Sequence, residues 1–198
     1  MIAFWIILVL VVILVLVAIG VYNGLIRQRN KVENAWSQID VQLKRRVDLI
    51  PNLVETVKGY AAHERETLDA VVRARNAAIA APSTPGAQAQ ANTELTGALR
   101  QLFALSEAYP DLKANQNFLA LQEELTATEG RVAYARQFYN DSVLGYNNKL
   151  DTFPSTIFAR LMHLQRREYF EVDDTAREAP KVEFGSDGPP PDAPQVKF

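Results

Sequence analysis

Apolar residues form an unbroken run near the start of the chain, from Ile2 to Val21, and the first 26 residues carry no charged side chain. A helix of about 20 apolar residues is long enough to cross the ~30 Å hydrocarbon layer of a membrane. Trp5 and Tyr22 are separated by roughly 26 Å along such a helix, which places one aromatic side chain near each membrane surface. We therefore predict that residues 1–26 form a transmembrane anchor in contact with the lipid bilayer.

The residues that flank this run bear on whether the anchor is retained and how it is oriented. Ala18 and Gly20 resemble the small residues of a signal-peptide cleavage site, but the apolar run is longer than such peptides have and no basic segment precedes it. We therefore expect the anchor to be retained. Arg27 and Arg29 follow the span directly, so the positive-inside rule predicts a cytoplasmic location for the rest of the chain, with an extracytoplasmic location as the alternative.

Beyond the anchor, apolar residues recur at alternating three- and four-residue steps, which is the period of an amphipathic helix. One stripe predicts a helix from Val32 to about Ala80, where the prolines and glycine of APSTPG end it. A second helix carries the leucines of residues 95–105, and a third runs from about Leu112 to Leu150. A fourth, short helix follows Pro154, a residue that is tolerated in a first turn.

These stripes predict an all-α protein, with an N-terminal transmembrane helix followed by a long-helix antiparallel four-helix bundle over residues 27–168. Residues 169–198 are acidic and proline-rich, and we predict that they form a disordered tail. The first bundle helix would be about 80 Å long, against about 33 Å and 58 Å for the next two. Part of its apolar stripe then lacks a partner within the chain, so we expect self-association into a homo-oligomer.

The stretch DLIPNLVETVKGY, residues 48–60, places a proline inside the first of these helices. Pro51 removes one helical hydrogen bond and frees the carbonyl of Val47. Either the helix is continuous and kinked, or it breaks and restarts with Asp48 as its N-cap. The apolar phase is unbroken, which favours a continuous, kinked helix that either bends around the bundle or offers the Val47 carbonyl to a polar group across an interface. Asp48, Pro51 and Asn52 are thus candidate interaction residues, and a functional hinge is the alternative.

Two tyrosine–asparagine pairs, Tyr139 with Asn140 and Tyr146 with Asn147, lie seven residues apart on one face of the third predicted helix. When they are buried, these side chains need hydrogen-bond partners, and a polar pair in an apolar seam fixes the register of the helices. Binding of a small ligand is the alternative role. The candidate partners are Arg73, Asn76 and the carbonyl of Val47.

Composition narrows the classes of function. The 198 residues carry a net charge of −2 and no cysteine. The absence of a basic face argues against nucleic-acid binding, and the absence of cysteine excludes disulfides, thiolate nucleophiles and cysteine-ligated zinc. His63 and Glu64 in HERE suggest a metal site, but the zinc-protease motif needs a second histidine where Thr67 stands. We therefore expect a solvated face or an ion pair there, and predict no catalytic, cofactor-binding or metal-binding residue.

Four stretches of the chain resemble the LemA family of bacterial membrane proteins. They are AWSQIDVQLKRRVDLIPNLVETVKGYAAHE, which contains Trp36, LKANQNFLALQEEL, ARQFYNDSVLGYNNKLDTFP and YFEVDDTAREAPKVEF. The resemblance implies a transmembrane helix and a soluble helical bundle at the bacterial plasma (inner) membrane, with a short N-terminus outside. It implies no established biochemical activity, and it suggests partners in the cell envelope or among membrane proteases.

Three functional hypotheses follow. The favoured one is a single-pass, membrane-anchored scaffold or adaptor that self-associates, presents a helical surface to envelope proteins and is not an enzyme. The alternative is a receptor that binds a small ligand at the tyrosine and asparagine face and shifts at Pro51. The third is a metallohydrolase, which would need His63, His163 and carboxylates such as Glu123, Glu124 or Glu129 to converge.

Overall fold

The computed structural model describes residues 1–171, and every regular element within them is a helix. The predicted all-α class is therefore confirmed. Most of the predicted tail lies outside the described residues. The helices are α1 (Ile2–Lys58), α2 (Arg65–Ala80), α3 (Pro85–Ser106), α4 (Pro110–Lys113), α5 (Gln116–Asp151) and α6 (Ser155–Leu161).

Helix α1 runs from the apolar N-terminal segment into the bundle without a break. Its most apolar window has a mean hydropathy of 3.6, and none of that window is buried against the rest of the described chain. A core helix of a soluble protein would be mostly buried, so the exposed apolar surface fits a lipid environment. At ~1.5 Å per residue, α1 is roughly 86 Å long, which is enough to cross a bilayer and form a full side of the bundle.

Helices α1 and α5 pack antiparallel along the length of α5. Near the start of α5, Arg45 Nη2 lies 2.6 Å from Glu124 Oε1. Near the start of α1 outside the apolar run, a Cβ placed on Gly24 would overlap the Nζ of Lys149. Residue numbers therefore fall along α1 as they rise along α5. The flexible end of the Lys149 side chain lies against the backbone of α1 at Gly24.

Helices α2 and α3 complete the bundle as a hairpin on the α1–α5 pair. Helix α2 turns back from the end of α1, and α3 returns toward that same end, which we call the tip. Helices α1, α2, α3 and α5 therefore alternate in direction, as predicted for an antiparallel four-helix bundle. Helix α4 makes one turn at the tip, and α6 packs on α1 and α5 at the opposite end, which we call the base.

One predicted helix is in fact two helices. The helix expected from Val32 to Ala80 ends at Lys58, and residues 59–64 form a turn before α2 begins. Gly59 is a poor helix former, and the amide of Ala61 still bonds to the carbonyl of Val57, at 2.8 Å. The apolar stripe kept its phase across the turn because both helices face the same core. The prediction of an 80 Å bundle helix was therefore wrong. The difference in helix length from which we expected an uncovered apolar stripe was wrong for the same reason.

The core has two parts. The tip core contains residues from α1 to α5, including Ile50, Leu53, Leu102 and Phe118. The base core contains Leu25, Ile39, Tyr139, Leu150, Ala159 and Phe170. Phe170, which the sequence places in the tail, is only 2% exposed. The described chain therefore stays packed on the bundle beyond the last helix.

Candidate functional site at the base of the bundle

Two asparagine side chains on α5 bind the backbone of a non-helical segment, residues 164–170. Asn147 Nδ2 donates to the carbonyl of Arg167 at 3.0 Å, and its Oδ1 accepts from the amide of Arg167 at 2.9 Å. Asn140 repeats the pattern one heptad earlier: its Oδ1 accepts from the amide of Phe170 at 2.9 Å, and its Nδ2 donates to the Phe170 carbonyl at 3.4 Å. The side-chain amides of Asn140 and Asn147 thus supply hydrogen bonds that a neighbouring β-strand would otherwise give the backbone of this segment.

Aromatic side chains complete this arrangement. Tyr139 Oη donates to the carbonyl of Glu168 at 2.9 Å. The Trp36 ring lies 5.5 Å from the Tyr139 ring and 6.2 Å from the Phe170 ring, between centroids. We call Trp36, Tyr139, Asn140 and Asn147 the clasp. Burial raises the pKa of Tyr139, so its hydroxyl keeps the proton that it donates to the segment.

Tyr146, the remaining residue of the two predicted pairs, is buried in the base core with 2% of its surface exposed. Burial raises the pKa of its hydroxyl as well. Helical spacing therefore brings Tyr139, Asn140, Tyr146 and Asn147 to one face of α5, as the sequence predicted.

A residue in the left-handed backbone conformation reverses the chain after α6, so that the chain runs back along this face of α5. His163, directly after the C-cap of α6, has a φ of 51°, a value more often found for glycine or asparagine. The amide of Leu164 then bonds back to the carbonyl of Ala159 at 3.0 Å, which closes the end of α6. The reversal sends residues 164–170 along α5 rather than away from the bundle.

The partners predicted for the tyrosine and asparagine pairs are wrong. None of Arg73, Asn76 and the Val47 carbonyl bonds to the clasp; Arg75 Nε instead donates to the Val47 carbonyl at 3.2 Å. The seven-residue spacing within α5 predicted that the two tyrosine–asparagine pairs share a face. It could not predict that a segment 20 to 30 residues later in the chain packs on that face. The clasp fixes that segment rather than the register of two helices.

Pro51 lies inside a continuous helix, as favoured from the unbroken apolar phase. Asp48 is therefore an interior residue and not an N-cap. Asp48, Pro51 and Asn52 are all exposed. The carbonyl that Pro51 frees accepts from Arg75 on α2, so the proline creates a polar contact between two helices.

The HERE stretch lies at the tip, far from the clasp. Glu64 Oε1 accepts from Tyr109 Oη at 2.8 Å, and this hydrogen bond raises the pKa of Tyr109. His63 is in the α1–α2 turn at the tip, whereas His163 follows α6 at the base. Residues 1–171 contain no group of three or more histidine, aspartate or glutamate side chains placed to hold a metal ion.

The predicted membrane-interface residues and Pro154 fall outside the clasp. Trp5 and Tyr22 are 61% and 48% exposed on α1, and their place at the two bilayer surfaces stays a prediction. Arg27 is exposed, and Arg29 Nε forms an ion pair with Glu33 at 2.9 Å. Pro154 is the N-cap residue of α6, just before its first turn.

Arg46 is a buried polar residue that the sequence patterns did not single out. It is 2% exposed, and its Nη1 donates to Asn92 Oδ1 at 2.6 Å and to Thr96 Oγ1 at 2.9 Å on α3. Its Nη2 lies 3.7 Å from Glu129 on α5, and burial lowers its pKa. Its position in the sequence could have indicated that Arg46 is buried. Arg46 is seven residues after Ile39 and four before Ile50, which places it on the apolar stripe of α1.

A cavity of about 360 Å³ lies beside Arg46, and Lys44, Gln88 and Asn92 are among the side chains that line it. Within the described chain, Arg46 Nε is buried without a hydrogen-bond partner. Such an atom is costly in a core. Arg46 therefore ties α1 to α3 and α5 through polar contacts that are only partly satisfied.

An exposed apolar helix that continues into an antiparallel bundle, whose last described segment is held by a clasp, defines a membrane-associated helical protein. The chain belongs to the LemA family, whose model matches residues 35–184. The protein LemA of Metamycoplasma hominis is 28% identical over 164 residues, which cover 81% of this chain and 74% of that protein.

Magnetosome proteins are more distant relatives. Magnetosome protein MamQ 2 of Paramagnetospirillum magneticum is 23% identical over 76% of this chain, and MamQ of Magnetospirillum gryphiswaldense is 24% identical over 75%. In each case the match covers 64% of the magnetosome protein. None of these relatives carries the name of an enzyme.

Proposed function

We propose that this chain is a single-pass protein of the bacterial plasma membrane that acts as a scaffold or adaptor, without catalytic activity of its own. The observation that carries the proposal is the continuity of α1 from Ile2 to Lys58. No loop separates the apolar segment from the bundle within the described chain, so a partner bound to the bundle is carried on a continuous helix rather than on a flexible tether. Such a continuous link suits a protein that positions its partners relative to the membrane.

The proposed docking surface is a groove between α1 and α5, which we call the α1–α5 groove. It has a volume of about 610 Å³, and Val41, Gln42, Gly130 and Tyr134 are among its lining residues. Val41 is 60% exposed and Tyr134 73% exposed, although both are large apolar side chains. The Oε1 of Gln42 is buried without a hydrogen-bond partner in the described chain. A helix of a second copy or of an envelope protein, such as a membrane protease, would cover the exposed side chains of Val41 and Tyr134.

The alternative hypothesis, ligand sensing at the tyrosine and asparagine face, has less support. The polar atoms of Asn140 and Asn147 already bond to the backbone of residues 167 and 170. A small ligand would have to displace this segment to reach them. The scaffold proposal needs no such displacement.

The proposed orientation places the bundle in the cytoplasm, because Arg27 and Arg29 follow the apolar run. An extracytoplasmic bundle is the alternative. Either orientation leaves the α1–α5 groove on the surface of the bundle, so the docking proposal does not depend on this choice.

Crosslinking in membranes tests the groove as a docking surface. The chain has no cysteine, so Tyr134→Cys introduces a single reactive site. We expect an oxidative crosslink to a second copy from this position, and little from Val72→Cys, which is 37% exposed on α2. Equal crosslinking from both positions, or none from Tyr134→Cys, would count against the groove.

Two glycines provide a matched pair of blocking variants. A Cβ on Gly130, in the groove, or on Gly97, on α3, meets no atom within 4 Å, so lysine fits at either position. Gly130→Lys should abolish the crosslink from Tyr134→Cys, because its side chain fills the groove, and Gly97→Lys should not. A crosslink to a different protein that Gly130→Lys abolishes would identify an adaptor rather than a homo-oligomer.

A further inference from the structure

Three large apolar side chains are exposed on α6 and the turn before it. Phe153 is 80% exposed, Ile157 57% and Leu161 76%. Ile157 and Leu161 are four residues apart and therefore lie on one face of the helix. The opposite face, with Ser155 and Ala159, is buried. Helix α6 thus has two apolar faces, one of which packs on the bundle while the other has no partner within the described chain.

The position of α6 indicates what covers this second face. Val21, the last residue of the apolar run, packs against the base core, which also contains Leu150 and Ala159. Gly24 lies against Lys149 at the end of α5. The base of the bundle therefore begins where the membrane-spanning part of α1 ends. A bilayer crossed by residues 2–21 would have its surface at the level of α6.

Charged residues support the same placement. Arg160 is exposed one turn after Ile157, and Arg27 is exposed just beyond the apolar run of α1. Cations beside exposed apolar side chains are typical of helices that lie in a membrane interface, where the apolar groups enter the lipid and the cations meet anionic headgroups. The exposed face of α6 has this character.

We propose that α6 lies in the interface of the same bilayer that α1 crosses, with Phe153, Ile157 and Leu161 inserted among the lipids. This inference rests on the proposed anchoring by α1 and adds a second membrane contact. One span alone leaves the bundle free to tilt and rotate about α1. A second contact at α6 sets one orientation, and hence the direction in which the α1–α5 groove faces.

Site-directed spin labelling of the full chain in phosphatidylethanolamine and phosphatidylglycerol vesicles tests this placement. A nitroxide is attached to Ile157→Cys, to Leu161→Cys or, as a control, to Val72→Cys, which is exposed in the half of α2 nearer the tip. We expect the ratio of oxygen to water-soluble nickel-chelate accessibility to be several-fold higher at positions 157 and 161 than at position 72. Equal ratios at all three positions would overturn the inference, as would low accessibility to both reagents at 157, which indicates a protein contact.

A second variant guards against an effect of the label itself. Ile157→Ser with Leu161→Ser removes the apolar face without touching the buried one, so the bundle should fold. A nitroxide at Phe153→Cys should then become accessible to the nickel chelate, whereas Val41→Ser with Val72→Ser should leave it protected. Unchanged protection in the first variant would contradict a lipid contact.

The two proposals fail in different ways. If alkaline carbonate extracts the chain from the vesicles, the anchor is not a membrane span and both proposals fall. If the chain resists extraction but the labels at 157 and 161 behave like the label at 72, only the contact by α6 is wrong.

Discussion

An asparagine side-chain amide can bond to both the backbone N–H and the backbone C=O of one residue, and the clasp uses this property twice. Asn147 is 2% exposed, so neither of its bonds to Arg167 has water as a ready replacement. The segment has no helix or sheet of its own to satisfy its backbone. Its position on α5 therefore depends on a few side chains, and single substitutions should release it.

Asn147→Asp is expected to lower the free energy of unfolding by about 2 kcal/mol, because the carboxylate loses a donor and faces the Arg167 carbonyl. Asn148→Asp is the matched control, since Asn148 is exposed, and its effect should stay within about 0.5 kcal/mol. Thermal unfolding of the detergent-solubilised chain, followed by circular dichroism, measures both. Equal stabilities would mean that the bonds of Asn147 to Arg167 contribute nothing to folding.

Arg46 and Arg45 allow a similar comparison. Arg46→Ala should lower the free energy of unfolding by about 2 to 3 kcal/mol, because it leaves Asn92 and Thr96 without their shared donor in the core. Arg45→Ala, which removes an ion pair of a side chain that is 51% exposed, should cost about 0 to 1 kcal/mol. Denaturant unfolding distinguishes the two. A stabilised Arg46→Ala variant would indicate that the polar cluster is kept for a role other than stability.

Helix α1 shows what a proline contributes when its helix continues. Pro51 does not end α1; it frees a carbonyl that Arg75 of α2 then uses, at 3.2 Å. Sequence periodicity predicted the continuous helix correctly, because the apolar phase persists through Ile50 and Val54. Periodicity could not detect the turn at residues 59–64, since the chain resumes the same phase in α2.

A double-mutant cycle tests the link between Pro51 and Arg75. Arg75→Ala should cost about 1.5 kcal/mol in the parent chain, because the Val47 carbonyl loses a charged donor. In a Pro51→Ala background the cost should be smaller, since the new amide at position 51 bonds to Val47 itself. Arg73→Ala, an exposed neighbour on α2, should have no effect in either background. Unfolding free energies of the four variants give the coupling, and a value near zero would disprove the link.

At the scale of the whole molecule, the sequence determined the fold class and the alternating bundle because both follow from long apolar stripes. The clasp was only half predictable. Helical spacing brings Asn140 and Asn147 to one face, but their partners follow the reversal at His163, whose φ of 51° no composition rule suggests. The burial of Phe170 was missed for the same reason, since one aromatic beside an acidic stretch carries no periodicity.

Orientation in the membrane is testable with a single cysteine at Ser83, in the exposed turn between α2 and α3. If the basic residues after the span hold the bundle in the cytoplasm, a membrane-impermeant maleimide should label Ser83→Cys only after cell lysis. Labelling in intact cells would reverse the orientation and move the search for partners to the outer side of the membrane. The unmodified chain is the control, because it contains no cysteine.

The continuity of α1 also makes the molecule a lever. The part of α1 beyond Val21 is roughly 55 Å long, so a 10° change in the tilt of the span moves the tip by roughly 10 Å. A span of fixed length tilts more in a thinner bilayer and less in a thicker one. Because this movement is mostly parallel to the membrane, the lateral position of Tyr60 and Asn115, which are hydrogen-bonded to each other at the tip, depends on the thickness of the bilayer.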